Sequence, residues 1–295
     1  MEINAIFDIL KIILFGIVEG ITEWLPISST GNMIILEEFT NAVEIFEGGK
    51  AFWDFFLVAI QLGAILAVVV CFFNKLNPFW GKSLKNPEEE KSKEEKKEIW
   101  LLWAKVLVAC LPAAIIGLFL DDWLDEVFYN SITVSITLIV YGIFFIVMEI
   151  WNKKRKFKIT DVKQLSFKMA FIIGCIQLLA LIPGTSRSGI TILGAMLILC
   201  NREVACEFSF FLSIPVMLGA SLLKGVKFIL SDAMLSSNDV ALLIIGSIVA
   251  FAVSMFVIKF LMSFIKKHDF KVFGIYRVAL GVILINLFAC GVMSI

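Results

Sequence analysis

Two polar clusters in an otherwise apolar chain hold the residues that could do chemistry. In the first, Glu19-Gly-Ile-Thr22-Glu23-Trp-Leu-Pro26-Ile-Ser28-Ser29-Thr30-Gly-Asn32, the carboxylates of Glu19 and Glu23 are four positions apart and Thr22 is three from Glu19. On a helix these three side chains share one face. Two carboxylates held together at low dielectric either bind a divalent cation or share a proton, because two uncompensated charges there are too costly. The alternative is a pair solvated at a membrane surface or satisfied by hydrogen bonds. Beyond Pro26, the hydroxyls of Ser28, Ser29 and Thr30 precede a second short helix. A helix N-terminus is a ready anion site, although a serine-rich turn is also an ordinary helix cap.

The second cluster is Pro183-Gly184-Thr-Ser186-Arg187-Ser188-Gly-Ile-Thr191. A flexible turn, serine hydroxyls, a helix start and one guanidinium are the parts of a phosphate cradle. An arginine at bilayer depth costs at least ~2.5 kcal/mol, so Arg187 needs a partner, either a phosphate or, in a purely structural pairing, Glu19 or Glu23. Gln177, a turn or two upstream, faces the same centre. Carboxylates for a metal, hydroxyls for attack and an arginine for phosphate together describe phosphoryl transfer inside a membrane.

The elements that position these clusters follow from composition. Of the 295 residues 60% are hydrophobic and 18% charged, against about 45–50% and about 25% in soluble domains. With a mean hydropathy of +0.94, the chain reads as an all-α polytopic membrane protein. Basic and acidic residues balance at 26 each, so net charge points to no partner such as nucleic acid. The cysteines at 71, 110, 175, 200, 206 and 290 lack metal-ligand spacing and read as small buried residues. His268, the only histidine, lies among lysines in a loop. The start, Met1-Glu-Ile-Asn, has no basic region of a cleavable signal, so the first apolar run is expected to remain in the mature protein.

The apolar run Ile9–Val18 enters the first cluster and Met33–Leu36 leaves it, each too short to cross a bilayer. Two short helices meeting at Pro26 to Thr30 predict a re-entrant hairpin, with its irregular backbone lining a wet cavity. Spans are expected at Phe52–Phe73, Ile99–Leu120 and Ile132–Ile150, and the charged loop 75–98 between the first two is assigned no chemistry. The pattern repeats: Phe167–Ile182 and Ile190–Leu199 flank the second cluster, and spans follow at Phe208–Leu230, Val240–Phe264 and Val272–Val292.

Pro26-x-x-Ser29 parallels Pro183-x-x-Ser186, and Leu62-Gly63-Ala64 parallels Leu218-Gly219-Ala220. The expected organisation is one membrane domain over 1–295, with repeat 1 at 1–152 and repeat 2 at 165–295. A hairpin plus three transmembrane helices crosses the membrane an odd number of times, so the two repeats are inverted. Loops rich in Lys and Arg, such as Lys153–Lys158 and Lys266–Lys271, fall on one side, and Glu37, Glu38, Glu44 and Glu47 on the other. The positive-inside rule makes the basic side cytoplasmic and leaves both termini outside.

At these residues the chain resembles the undecaprenyl-diphosphate phosphatase family, membrane enzymes associated with bacitracin resistance. Glu19-Gly-Ile-Thr-Glu23 with Ser28-Ser29-Thr30-Gly31 resembles one family motif and Pro183-Gly-Thr-Ser-Arg-Ser-Gly-Ile-Thr191 another. Further likeness lies in Gln61-Leu-Gly-Ala, Leu111-Pro-Ala-Ala, Glu207-Phe-Ser-Phe with Pro215, and Tyr276-Arg277 ahead of Gly281, so it covers nearly the whole chain. The resemblance implies hydrolysis of the terminal phosphate of a C55 polyprenyl diphosphate in the bacterial inner membrane, regenerating the lipid carrier for cell-wall synthesis. It implies a divalent metal, Mg2+ or Ca2+, organised by Glu19 and Glu23. It also implies a diphosphate bound by Arg187 with Ser186, Ser188 and Thr191; Ser29 is the expected nucleophile, and Ser28, Thr30, Gln177 and Gly184 complete the expected binding set. The expected partner is the lipid, and a homodimer is allowed for.

One position departs from the family, which has histidine where this chain has Asn32. Histidine exchanges a proton near neutral pH, whereas asparagine only hydrogen-bonds. Three readings follow: catalysis through Ser29 and Glu23 with Asn32 positioning groups, an impaired enzyme, or a histidine removed to trap a bound state. Two other classes of function compete, a polyprenyl-phosphate transporter or flippase, since inverted repeats with broken helices are a transporter architecture, and a membrane scaffold.

Overall fold

Residues 2–79, 91–128, 130–231 and 235–291 are described by a computed structural model of the chain, in which helices account for nearly all regular structure. The first half contains α1 (Glu2–Thr22), α2 (Ser29–Thr40), α3 (Gly49–Cys71), the short α4 (Phe73–Leu76), α5 (Lys93–Phe128) and α6 (Ser131–Asn152). The second contains α7 (Phe167–Gln177), α8 (Arg187–Leu197), α9 (Arg202–Leu230), α10 (Ser237–Phe264) and α11 (Lys271–Ala289). Of the expected loop 75–98, residues 80–90 lie outside the described residues, as does the last residue of the expected span to Val292.

The long helices begin where the sequence supplies a cap. Asn130, Asn201 and Ser236 accept from the N–H of Thr133, Val204 and Asp239 at 2.8, 2.8 and 3.0 Å. Each cap satisfies one of the amides that a helix start leaves unpaired. Among the described residues six helices are long and apolar enough to cross a membrane: α3, α5 over Lys93–Leu120, α6, α9, α10 and α11. The chain is a multi-pass membrane protein. Several boundaries differ from expectation, among them α5, which runs from Lys93 to Phe128 rather than over Ile99–Leu120. Helix α1 runs for 21 residues rather than over Ile9–Val18 alone, taking in Asp8 before that run and Glu19 after it. Helix α9 starts at Arg202, six residues before the expected span, where Asn201 caps it.

The main helix pairings are unchanged when the two halves are exchanged. Helix α1 packs on α10 as α7 packs on α5, while α3 meets α9 and α6 meets α11. Small residues let the backbones approach, as in membrane helix packing generally. A Cβ on Gly142 would lie 2.7 Å from the carbonyl of Gly274, and one on Gly274 would lie 2.6 Å from that of Gly142. In the α5–α7 pair, a Cβ on Gly174 would fall 2.2 Å from the carbonyl of Ala109.

The caps of α2 and α8 define the register between the halves. Ser28 (φ 72°, ψ 105°) accepts from Gly31 N, and Ser186 (φ 69°, ψ 115°) accepts from Gly189 N. Both residues sit in a left-handed backbone region that L-residues rarely adopt. Ser186 therefore corresponds to Ser28, one position away from the Ser29 that the Pro-x-x-Ser match selects, because the prolines occupy different places in the two turns. The same register superposes Gly16 on Gly174 and Glu19 on Gln177. The other short match does not carry over to packing: a Cβ on Gly63 would lie 2.2 Å from the Ser247 carbonyl, whereas Gly219 meets nothing within 4 Å.

Two buried carboxylates tie helix starts to neighbouring helices at places remote in sequence from both clusters. Glu149 is fully buried; its oxygens accept from Arg202 Nε and Nη2 at 2.8 and 2.6 Å, and from Phe270 N at 3.0 Å. Asp239, also fully buried, accepts from the N–H groups of Glu47 and Gly48 at 3.1 and 3.0 Å. Removing one partner of a buried pair strands the other. Glu149→Ala is expected to cost about 3 kcal/mol in detergent unfolding. Lys163→Ala, at an ion pair whose partners are about half exposed, is expected to stay within about 0.5 kcal/mol. Equal stability of the two variants would contradict the clamp.

Candidate active site

The break between α1 and α2 and the break between α7 and α8 face each other inside the protein. The first is anchored by Trp24, fully buried and edge-on to Phe210 of α9 at 5.3 Å between ring centroids. The second begins with a 3-10 turn at Leu178–Leu181 and is held through backbone carbonyls. Thr137 Oγ1 donates to Pro183 O at 2.8 Å, and Arg277 Nη2 donates to Gly184 O and Thr185 O at 2.8 and 2.9 Å.

Across the junction, Arg187 Nη2 donates to Glu23 Oε1 at 2.6 Å, with side chains only 12% and 8% exposed. Arg187 Nη1 donates to the Ser209 carbonyl at 3.0 Å. Ser29 Oγ donates to the other Glu23 oxygen at 3.2 Å, so one carboxylate orients both a guanidinium and a hydroxyl. The Ser188 hydroxyl donates to the backbone carbonyl of Glu23 at 2.9 Å, joining the two breaks directly. The structural pairing that the sequence left open for Arg187 is thus present, with Glu23 as its partner. Nearby, Glu19 Oε1 and both amide atoms of Gln177 are buried without a hydrogen-bond partner, which is rare for polar groups this deep.

Two cavities with shared lining residues open on this arrangement. An inner one of ≈ 220 Å³ is lined by Glu23, Gln177, Gly184, Ser186 and Arg187. An outer one of ≈ 550 Å³ is lined by Glu19 together with Lys50, Asp54, Glu126 and Lys224. Ser29, Thr30 and Gln61 line both. The expected binding residues therefore divide into two groups. Glu19, Glu23, Ser29, Thr30, Gln177, Gly184, Ser186 and Arg187 border open space. Ser28, Asn32, Ser188 and Thr191 line neither cavity, and their polar groups go to protein partners. Ser28 caps α2. Thr191 Oγ1 donates to Arg187 O at 2.9 Å and lies 2.7 Å from Ser209 Oγ.

Asn32 makes two hydrogen bonds away from the carboxylates. Its Nδ2 donates to Ser28 O at 2.8 Å, and its Oδ1 accepts from the Tyr276 hydroxyl at 2.5 Å. It thereby joins α2 to α11 and braces the left-handed turn at Ser28. The motifs that contain Gln61, Ser209 and Tyr276 imply no role for these three residues. A single amide in the apolar run of α3 was the available signal for Gln61. Nothing local marks Ser209 and Tyr276, whose partners lie far away in sequence.

Comparison with known proteins places these motifs in context. The family model described as bacitracin resistance protein BacA matches residues 12–283. An undecaprenyl-diphosphatase of Enterococcus faecalis is 58% identical over 276 residues, which is 94% of this chain and 96% of the relative. Another, from Acetivibrio thermocellus, is 55% identical over 281 residues, 95% of this chain and 98% of the relative. A third, from Streptococcus mutans, is 51% identical over 279 residues, 95% of each.

The Asn32–Tyr276 contact is testable by a double-mutant cycle. Asn32→Ala and Tyr276→Phe should each destabilise the protein, and the double variant should cost less than their sum by about 0.6 kcal/mol, a typical interhelical value in membranes. Strict additivity would contradict the contact.

Proposed function

Since the chain belongs to the BacA family of bacitracin resistance proteins, we propose that it hydrolyses undecaprenyl diphosphate to undecaprenyl phosphate and inorganic phosphate. The observation that carries this reading is the shared Glu23 carboxylate, bonded at once to Arg187 and to Ser29 at the edge of the ≈ 220 Å³ cavity. The terminal phosphate enters the inner cavity beside Arg187 and the N-terminus of α8, where a guanidinium and amide dipoles favour an anion. Ser29 Oγ gives its proton to Glu23 and bonds to the terminal phosphorus. The bond from that phosphorus to the bridging oxygen breaks, and undecaprenyl phosphate leaves with the electron pair and takes the proton held by Glu23, which is again a carboxylate. Water then attacks the seryl phosphate and gives its proton to Glu23. Ser29 Oγ takes a proton back as inorganic phosphate departs.

The residues fit a divalent cation. Glu19 presents a buried oxygen with no partner, one turn from Glu23. An ion of the Mg2+ kind takes one or two carboxylates and completes its shell with water and substrate phosphate; among the described residues no three metal-type ligands cluster. Glu19 and Glu23 would hold it, and when bound it would neutralise charge on the diphosphate oxygens. Gln177 and Thr30 border the remaining space and offer hydrogen bonds to phosphate oxygens.

Asn32 belongs with the positioning groups in this reading, since its side chain is engaged by Ser28 and Tyr276. The basic loops are cytoplasmic, both termini lie outside in the bacterial inner membrane, and the two halves form inverted repeats. The charge bias of the loops and the exchangeable helix pairings support that arrangement. A homodimer is compatible with it.

Phosphate release from undecaprenyl diphosphate tests the reaction. The unaltered chain should release phosphate, Glu23→Gln and Ser29→Ala should each lower kcat by about 10²–10⁴-fold, and EDTA should suppress release. Full activity in chelator would remove the metal from Glu19 and Glu23, and near-normal turnover by Ser29→Ala would remove Ser29 as nucleophile. For orientation, an impermeant thiol reagent should label Cys290, which is exposed near the C-terminus, in intact spheroplasts. Protection there with labelling only after lysis would reverse the topology.

A further inference from the structure

Arg277 of α11 is fully buried and lies directly behind the second break. One nitrogen, Nη2, donates to the carbonyls of both Gly184 and Thr185. Its Nε and Nη1 have no hydrogen-bond partner, and a Cβ on Gly189 would come within 3.2 Å of Nη1, so the guanidinium sits under the first turn of α8. A guanidinium keeps its proton in proteins. Among the described residues no carboxylate pairs with Arg277; the nearest compensation is the face of Tyr141, 5.9 Å from the guanidinium carbon to the ring centroid. Arg187, by contrast, is already neutralised by Glu23.

Resting on the proposed diphosphate site, we infer that Arg277 is a positioning residue for it, acting through the turn at 183–186. It works in two ways. Three successive carbonyls ahead of the α8 cap, those of Pro183, Gly184 and Thr185, are held on the side of α6 and α11 by Thr137 and Arg277. Their oxygens, which would repel phosphate, are thereby turned from the inner cavity, and Ser186 is kept in the left-handed conformation that caps α8. The uncompensated charge of Arg277 then gives the site a net attraction for an anion that the Arg187–Glu23 pair alone lacks. An unpaired cation in an apolar interior is costly, and a bound diphosphate supplies the counter-charge.

The test uses the full chain in detergent and methylenediphosphonate as a non-hydrolysable probe, with Kd measured by calorimetry. Arg277→Gln is expected to weaken binding by about tenfold or more, the scale of a charged hydrogen bond. Arg277→Lys, which keeps the charge and one donor, should recover part of that loss. Thr137→Val, which frees the Pro183 carbonyl and the Val134 carbonyl within α6 but leaves the bonds of Arg277 in place, should weaken binding by a smaller factor. A merely structural arginine would lower the melting temperature and the folded yield yet leave the Kd of folded protein unmoved, and that result overturns the inference. If Arg277→Gln does not fold, unchanged Kd in both Arg277→Lys and Thr137→Val overturns it equally, as does a native chain that does not bind the probe. Because binding is read without turnover, a chain that binds the probe with this mutational pattern but releases no phosphate overturns the proposed activity and upholds the role of Arg277.

Discussion

A guanidinium and a carboxylate contributed by opposite halves of the chain meet at 2.6 Å inside an apolar protein. Neither Arg187 nor Glu23 could occupy that depth alone, because an uncompensated charge there is more expensive than most single interactions can offset. Their pairing requires that two interruptions in helical structure, separated by more than half the chain, be brought together and held. The glycine-mediated helix crossings, the left-handed serine caps and the cross-break bond from Ser188 to Glu23 all serve that requirement.

The two breaks are built alike and used differently. Each has a serine with positive φ that caps the following helix, yet the first presents carboxylates and a hydroxyl while the second presents a guanidinium and an amide. Superposed in register, Glu19 corresponds to Gln177, an acid opposite its neutral amide. In the proposed reaction the first turn would hold a cation and exchange protons, while the second would bind an anion without competing for the proton. That division of labour is what phosphoryl transfer from a charged lipid demands.

Much of this was legible in the sequence because polar residues at bilayer depth are costly and conspicuous. The two clusters, the six spans and the family motifs all rest on that contrast. Less legible were features set by tertiary packing. The register between halves was off by one because a Pro-x-x-Ser match reads spacing from proline, whereas the equivalence is fixed by which serine adopts positive φ. Ser188 and Thr191 belong to a motif yet spend their hydroxyls on protein partners. Tyr276 and Arg277 sit on α11, nearly a hundred residues from the turn that Arg277 supports, and no local pattern announces that contact. Asn32 ties the Ser28 turn to α11 through its two hydrogen bonds, and their partners are set by packing.

The central claim is that the terminal phosphate occupies the space between Ser29 and Arg187. A structure of the chain with the methylene analogue of undecaprenyl diphosphate addresses it most directly. The account predicts the terminal phosphonate within hydrogen-bonding reach of Arg187 and Ser29 Oγ, with the bridging carbon on the side of phosphorus opposite that hydroxyl. A diphosphonate bound elsewhere, with that space empty, would contradict it.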